Sequence, residues 1–88
     1  MVMWRVVFTE SALEDAKKIS SSGLRSKTES IIALLKENPL KSPPPYDKPI
    51  GILSGVFTRR INAQHRLIYQ VDHEEKTVKI IRMWTEPE

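Results

Sequence analysis

Cysteine is absent from the 88-residue sequence, and there are only two histidines, His65 and His73. Without cysteine the chain can form neither disulfides nor thiolate metal sites, and the two histidines do not have the spacing of zinc ligands. We therefore expect a function that needs no metal and no other cofactor.

Long apolar runs are also missing. Residues 2–8 are interrupted by Arg5 and run into polar sequence, so they lack the length and the cleavage-site pattern of a signal peptide. No segment approaches the roughly 20 apolar residues that cross a bilayer. With 40% apolar and 28% charged residues, we expect one globular domain over residues 1–88, located in the cytoplasm and not bound to membranes.

Acidic residues are scarce in the middle of the chain. Between Glu37 and Asp72 the only acid is Asp47. The same stretch contains the basic residues Lys41, Lys48, Arg59, Arg60 and Arg66, together with His65. This distribution favours a positive field that faces a polyanion, and a solvated basic face without a ligand is the alternative.

The first half of the chain has the pattern of a strand followed by two helices. Residues 2–8 are β-branched and aromatic, which predicts a strand. Thr9 and Ser11 are both possible caps of the next helix, and Ser11 with Glu14 has the spacing of a capping box. That helix has the apolar stripe Ala12, Leu13, Ala16 and Ile19 and ends at 20–23. A second helix is predicted from Leu24 to about Asn38, since proline disfavours helix in the residue before it.

The second half begins with a stiff connector, because residues 39–49 contain five prolines. After a turn at Ser54-Gly55, three strands are predicted at 56–61, 65–72 and 77–85, joined by short polar turns as in an antiparallel meander. The sequence thus predicts an α+β fold with the order strand, helix, helix and three strands, in which the helical hairpin covers one face of the sheet.

Strand alternation assigns side chains to the two faces of this sheet. Residues predicted to face the helices are Phe57, Ile61, Leu67, Tyr69 and Val71. Residues predicted on the open face are Val56, Thr58, Arg60, Arg66, Ile68 and Gln70. Arg59 falls on the Phe57 side, where it supports the structure or lies at the sheet margin. His65 is expected to be structural, and His73 to be solvated in a turn.

Two guanidiniums on one face suit a phosphate, because each planar fork donates paired hydrogen bonds and keeps its charge. Solubility or an acidic protein partner would explain Arg60 and Arg66 equally well. In the last strand the face of Trp84 is ambiguous. On the open face it would stack on a nucleobase, a contact worth about 1–3 kcal/mol, whereas the alternative is an edge tryptophan that closes the core.

The sequence resembles the YoeB/Txe branch of the RelE/ParE toxin superfamily over nearly its whole length. The motifs that carry the resemblance are Leu53-Ser54-Gly55, Arg59-Arg60-Ile61-Asn62, His65-Arg66-Leu67-Ile68-Tyr69 and Lys79-Ile80-Ile81-Arg82-Met83-Trp84. The resemblance implies a toxin of a toxin–antitoxin system that cuts messenger RNA at the ribosomal A site without metal. It also implies several partners: the ribosome and its message, a YefM-like antitoxin, operator DNA bound through the antitoxin, and in some relatives a second copy of the toxin.

In this family the ribose 2′-hydroxyl attacks the adjacent phosphate, which requires a base, a phosphate clamp and an acid. By resemblance, the catalytic base falls on Asp47, the phosphate-binding arginine on Arg66 and a second arginine on Arg60. The acid position falls on Glu86. Further contacts to RNA are assigned to Arg59, Lys48 and Trp84.

The end of the chain departs from the family, which has a His-Tyr pair where Glu86 and Pro87 stand here. A carboxylic acid near arginines is held ionised and donates a proton poorly. Aspartate at 47 is also one methylene shorter than the family's glutamate. We therefore expect weakened or lost cleavage. Two alternatives are a non-catalytic member that binds antitoxin and DNA and a ParE-like gyrase poison, although Asp47 and the His-Arg-Leu motif argue against the latter.

Overall fold

The computed structural model of the chain describes residues 3–42, 46–47 and 55–84. The elements in chain order are β1 (Arg5–Phe8), α1 (Glu10–Ser22), α2 (Arg25–Glu37), β2 (Val56–Arg60), β3 (Arg66–Asp72) and β4 (Thr77–Arg82). The predicted α+β order is confirmed. Among the described helices, none is long and apolar enough to span a membrane.

The four strands form one mixed sheet in the order β1-β4-β3-β2. β2, β3 and β4 are antiparallel neighbours, so the predicted meander is confirmed. β1 lies beside β4 and runs parallel to it, with Val6 opposite Val78. The first and last strands of the chain are therefore adjacent, and β2 lies at the other side of the sheet.

Thr9 caps α1 by accepting a hydrogen bond from the backbone N–H of Ala12 at 3.1 Å. Its hydroxyl also donates to the carbonyl of Ile81 at 2.8 Å, which ties the start of α1 to β4. The capping box predicted for Ser11 and Glu14 is wrong, because the cap lies two residues earlier and Ser11 is already inside the helix. α1 ends at Ser22 and is capped by Gly23, whose φ of 82° favours glycine.

The core lies between the helices and one face of the sheet. Buried members of this cluster are Ala12, Ile19, Ile31, Leu35, Ile61, Leu67, Tyr69, Val71, Val78, Ile80 and Met83. The prediction for β3 is confirmed, since Leu67, Tyr69 and Val71 are all buried. Leu13 was predicted on the apolar stripe of α1 but is 52% exposed, and Asp15 is buried instead.

β4 contains a bulge that resolves the ambiguity in its faces. Tyr69 pairs with Ile80 and Ile68 pairs with Arg82, so Ile81 is an extra residue without a partner in the register. One extra residue turns every later side chain to the opposite face. Ile80 and Met83 are consequently both buried in the core, although they are an odd number of positions apart in the strand sequence.

Candidate functional site

Arg60 and Arg66 are direct partners in the register of β2 and β3. Residues opposite each other in an antiparallel pair point to the same face, with Cβ atoms about 4.5–5.5 Å apart. Arg60 is exposed and Arg66 is half-buried, and neither belongs to the face that packs on the helices. The prediction that both arginines share the open face is confirmed.

Val56 lies on the same face of β2 by alternation, yet it is buried. It is not a member of the core cluster, so it is covered from the side that was predicted to be open. The prediction of an uncovered face is therefore wrong at this end of β2. The exposed part of the face is the end that carries Arg60 and Arg66.

Asp47 reaches this face from the connector. Its backbone N–H donates to the carbonyl of Thr58 at 2.8 Å, and the N–H of Thr58 donates to the carbonyl of Asp47 at 2.7 Å. These two bonds form an antiparallel bridge on the outer edge of β2. The connector thus pairs with the sheet at one residue, Asp47. This pairing fixes the backbone position from which the Asp47 side chain extends.

The carboxylate of Asp47 forms an ion pair with Arg66, with 3.1 Å between Oδ2 and Nη1. The side chains of Asp47 and Arg66 are 76% and 40% exposed, so solvent and ligands can reach both groups. Solvent screening makes such a pair a weak contributor to stability. Its significance lies in the arrangement, because a lone acid and two arginines are brought together on one accessible surface.

Arg59 lies on the opposite face of β2 and is only 2% exposed. Its guanidinium donates to the hydroxyl of Tyr69 at 3.1 Å and to the carbonyls of Pro39 and Lys41 at 3.0 and 2.8 Å. This environment agrees with the supporting role that alternation predicts for Arg59. It does not support the RNA contact that was also predicted for Arg59, because a buried guanidinium is not accessible to a polyanion.

Trp84 stacks on His65, with ring centroids 3.9 Å apart and ring planes 26° from parallel. His65 is buried, and Trp84 is half-buried against the core. The structural role predicted for His65 is confirmed. The geometry also favours the alternative in which Trp84 closes the edge of the core, because one face of its ring is already occupied.

The remaining predicted site residues, Lys48 and Glu86, lie outside the described residues, as does Pro87. His73 is exposed in the turn after β3, as predicted, and contacts the ring of Trp4 edge-on at 5.6 Å.

Asp15 is a buried acid that sequence reasoning missed. Its carboxylate accepts hydrogen bonds from the guanidinium of Arg82, at 2.7 Å from Nε, and from the backbone N–H groups of Met83 and Trp84 at 3.0 and 3.2 Å. Burial raises the pKa of Asp15, but these bonds outweigh it, and the net pKa is lowered. The hydrogen bond that Arg82 donates to Asp15 also raises the pKa of Arg82.

A signal for Asp15 was present in the sequence. Ala12, Asp15 and Ile19 follow the spacing of one helical face, and all three are buried. A carboxylate in the middle of an apolar stripe needs partners, because a buried charge without them is strongly unfavourable.

A groove of about 610 Å³ lies between α2 and the end of β2. Its walls include Ile31 and Leu34 from α2 and Ile61 and Ala63 from the β2–β3 turn, with Arg60 among the lining residues. Arg60 therefore lies where the sheet face meets this groove.

The sequence pattern of the ParE toxin family of type II toxin–antitoxin systems, parDE, matches residues 6–86. No curated protein sequence matches the chain. Among solved structures, the chain is similar to the YoeB–YefM complex from Staphylococcus aureus, with 26% identity, a TM-score of 0.79, and coverage of 96% of this chain and 98% of the other.

Two further structures are similar. The RelBE2 toxin–antitoxin complex from Mycobacterium tuberculosis shares 30% identity over 100% of this chain and 97% of the other, with a TM-score of 0.74. A YoeB/ParE toxin from Agrobacterium tumefaciens shares the fold, with a TM-score of 0.83 at 22% identity over 94% and 99% of the two chains. The chain belongs to the ParE toxin family of type II toxin–antitoxin systems and is a YoeB-like member of the RelE/ParE superfamily.

Proposed function

We propose that this toxin is an endoribonuclease that cleaves messenger RNA in the ribosomal A site without metal, at a reduced rate. The observation that carries the proposal is the ion pair of 3.1 Å between Asp47 and Arg66, beside the exposed Arg60. This arrangement holds a base and a phosphate clamp side by side, as intramolecular cleavage of RNA requires.

In the proposed reaction, Arg66 and Arg60 hold the scissile phosphate. The adjacent ribose then lies near Asp47, because its carboxylate is already within hydrogen-bonding distance of the same guanidinium. Asp47 takes the proton of the 2′-hydroxyl as the 2′-oxygen attacks phosphorus, and the bond from phosphorus to the 5′-oxygen breaks. The leaving oxygen takes up a proton, which gives a 2′,3′-cyclic phosphate and a 5′-hydroxyl end.

The two arginines serve the transition state as well as binding. Negative charge grows on the phosphate oxygens during the attack, and guanidiniums that are already in place stabilise it without reorganisation. Protonation of the leaving oxygen is the step that we expect to limit the rate. By resemblance, Glu86 takes the place of the family's histidine, and an ordinary carboxyl group is a poor proton donor near neutral pH, so we propose that cleavage is slow.

The proposal is tested by primer extension on translating ribosomes. We expect cuts within A-site codons for the chain as it stands. Asp47→Asn keeps the size of the side chain but removes the base, so the cleavage rate should fall by roughly 10²–10⁴-fold. Glu74→Gln, at an exposed acid in the turn after β3, is the matched control and should cleave normally.

An unchanged rate for Asp47→Asn would refute its role as base. If the unaltered chain makes no cuts at all, the non-catalytic member that binds antitoxin and DNA becomes the better description.

We also propose a YefM-type antitoxin as the partner. The support is the similarity over 96% of the chain to the Staphylococcus aureus toxin that is bound to YefM. Coexpression with the product of the neighbouring gene should yield a complex on size-exclusion chromatography and should relieve any growth defect. Recovery of the toxin alone from such cells would contradict this partner.

Inhibition of DNA gyrase is a second candidate function, favoured by the match of residues 6–86 to the ParE family. A gyrase supercoiling assay separates the two candidates. The endoribonuclease proposal expects no inhibition at toxin concentrations that cleave ribosome-bound message, and inhibition without cleavage would replace it.

A further inference from the structure

Arg59 is a buried cation that donates hydrogen bonds to a distant part of the chain. Two of its acceptors, the carbonyls of Pro39 and Lys41, belong to the connector that follows α2. Its Cζ atom also lies 5.1 Å from the centroid of the Tyr46 ring, in a cation–π contact. Arg59 therefore contacts the connector both at its start and immediately before Asp47.

Tyr69 and Phe57 also contact the connector, and together with Arg59 they form an anchor for it. The hydroxyl of Tyr69 donates to the carbonyl of Pro39 at 2.8 Å and accepts from Nε of Arg59. The ring of Phe57 meets the ring of Tyr46 edge-on at 5.4 Å. Burial raises the pKa of Tyr69, so its hydroxyl, which is already protonated near neutral pH, remains a donor at higher pH as well. The connector before Asp47 is thus held at several points by side chains on the helix side of β2.

The position of Asp47 depends on its pairing with β2. Thr58, the neighbour of Arg59 in the strand, pairs with Asp47 through two backbone hydrogen bonds. Asp47 and its ion pair with Arg66 therefore depend on the connector reaching the edge of β2 in one register. A connector released from Arg59 would let Asp47 move, and a misplacement of about 1 Å can reduce a rate by roughly 10²-fold.

We propose that Arg59 is a positioning residue, which holds the connector so that Asp47 stays paired with Thr58 and beside Arg66. The proposal rests on the proposed role of Asp47 as the base. Arg59 does not touch the substrate, because its guanidinium is buried under the connector on the helix side of β2.

Arginine is suited to this task where lysine is not. One planar guanidinium donates to Tyr69, Pro39 and Lys41 and stacks on an aromatic ring at the same time. A lysine ammonium keeps the charge but cannot reproduce this fork. Arg59→Lys therefore tests the geometry of the anchor while it preserves the buried charge.

The first measurement is amide hydrogen exchange, which does not depend on catalysis. In Arg59→Lys we expect the amides of Asp47 and Thr58 to exchange at least about 10-fold faster, while those of β4, inside the sheet, change much less. Arg25→Lys, in an exposed ion pair with Glu29 on α2, is the matched control and should leave all these amides unchanged. Equal acceleration throughout the sheet, or none at Asp47 and Thr58, would overturn the proposal.

The second measurement is a double-mutant cycle on the cleavage rate. Arg59→Lys should lower kcat by roughly 10-fold to 10²-fold with little change in KM, and it should have no further effect in the Asp47→Asn background. An equal loss in both backgrounds would show that Arg59 does not act through Asp47. If the unaltered chain does not cleave, the proposed function fails and hydrogen exchange still decides the positioning role.

Tyr46→Leu provides a second variant in case Arg59→Lys does not fold. Tyr46 is half-buried, and its loss removes the cation–π contact but leaves the hydrogen bonds of Arg59 in place. We expect faster exchange at Asp47 and Thr58 in the same direction but by a smaller factor. Unchanged exchange at both amides would contradict the proposed anchor.

Discussion

Arg59 and Arg60 are adjacent in the chain, yet strand alternation gives them opposite environments. Arg59 is buried against the connector, and Arg60 is exposed beside Arg66. An arginine pair in a sequence is often taken as one basic patch. Here only the second member is available to a phosphate.

The residues at the end of the chain lead to a prediction about activity. Glu86→His together with Pro87→Tyr restores the pair that the family carries, and histidine is a much better acid near neutral pH than an ionised carboxylate. We expect the cleavage rate in the primer extension assay to rise by roughly 10²–10⁴-fold.

Growth of cells that express the restored toxin is the second readout. Growth should be slower than with the unaltered chain, and Asp47→Asn in the restored chain should abolish the difference. Equal growth and equal cleavage with and without the restored pair would show that positions 86 and 87 do not limit the reaction.

At the scale of elements, the contact between α1 and the end of β4 depends on Asp15. Its carboxylate is 67 residues away in sequence from Arg82 and also accepts the backbone N–H groups of Met83 and Trp84. These bonds hold the segment after the bulge, where regular sheet pairing has ended. The stack of Trp84 on His65 lies in the same segment.

Asp15→Asn should therefore destabilise the fold. The substitution removes charge-assisted bonds at a position that is 2% exposed, and it leaves Arg82 partly accessible to water. We expect a loss of about 2 kcal/mol in the free energy of unfolding at pH 7, measured by urea denaturation. Glu14→Gln, one residue away and exposed, should change it by less than about 0.5 kcal/mol. Similar effects from both variants would mean that the bonds of Asp15 do not hold β4.

For the whole molecule, the shifted pKa of Asp15 predicts how the free energy of unfolding depends on pH. The pKa of Asp15 is lower in the folded state than its ordinary value of 3.8. A depressed folded pKa means that the stabilisation is fully present above the unfolded pKa and is lost as pH falls through the folded one. The contribution of Asp15 should thus be constant near neutral pH and should shrink below about pH 4.

Urea denaturation at several pH values measures this effect. The difference in unfolding free energy between the unaltered chain and Asp15→Asn should be the same at pH 7 and pH 5 and smaller at pH 3.5. A difference that stays constant through acid pH would show that the ionised form of Asp15 is not the stabilising one.

The sequence by itself determined the order of the elements and the face on which Arg60 and Arg66 lie. Helical spacing and strand alternation are local properties, so residues 24–38 and 65–72 already contain the information for α2 and β3. The choice of Thr9 as cap, rather than Ser11, required more than local spacing, because Thr9 also bonds to Ile81 in β4.

Only the tertiary structure decided how distant segments meet. The bulge at Ile81 changes the parity of β4 through its pairing with β3, which no pattern within β4 reveals. The bridge between Asp47 and Thr58, the anchor of Arg59 under the connector and the bonds from Asp15 to β4 likewise join residues far apart in the chain. Their physical basis is the pairing of buried polar groups, and the partner of such a group is set by the packing of the whole fold rather than by its neighbours in sequence.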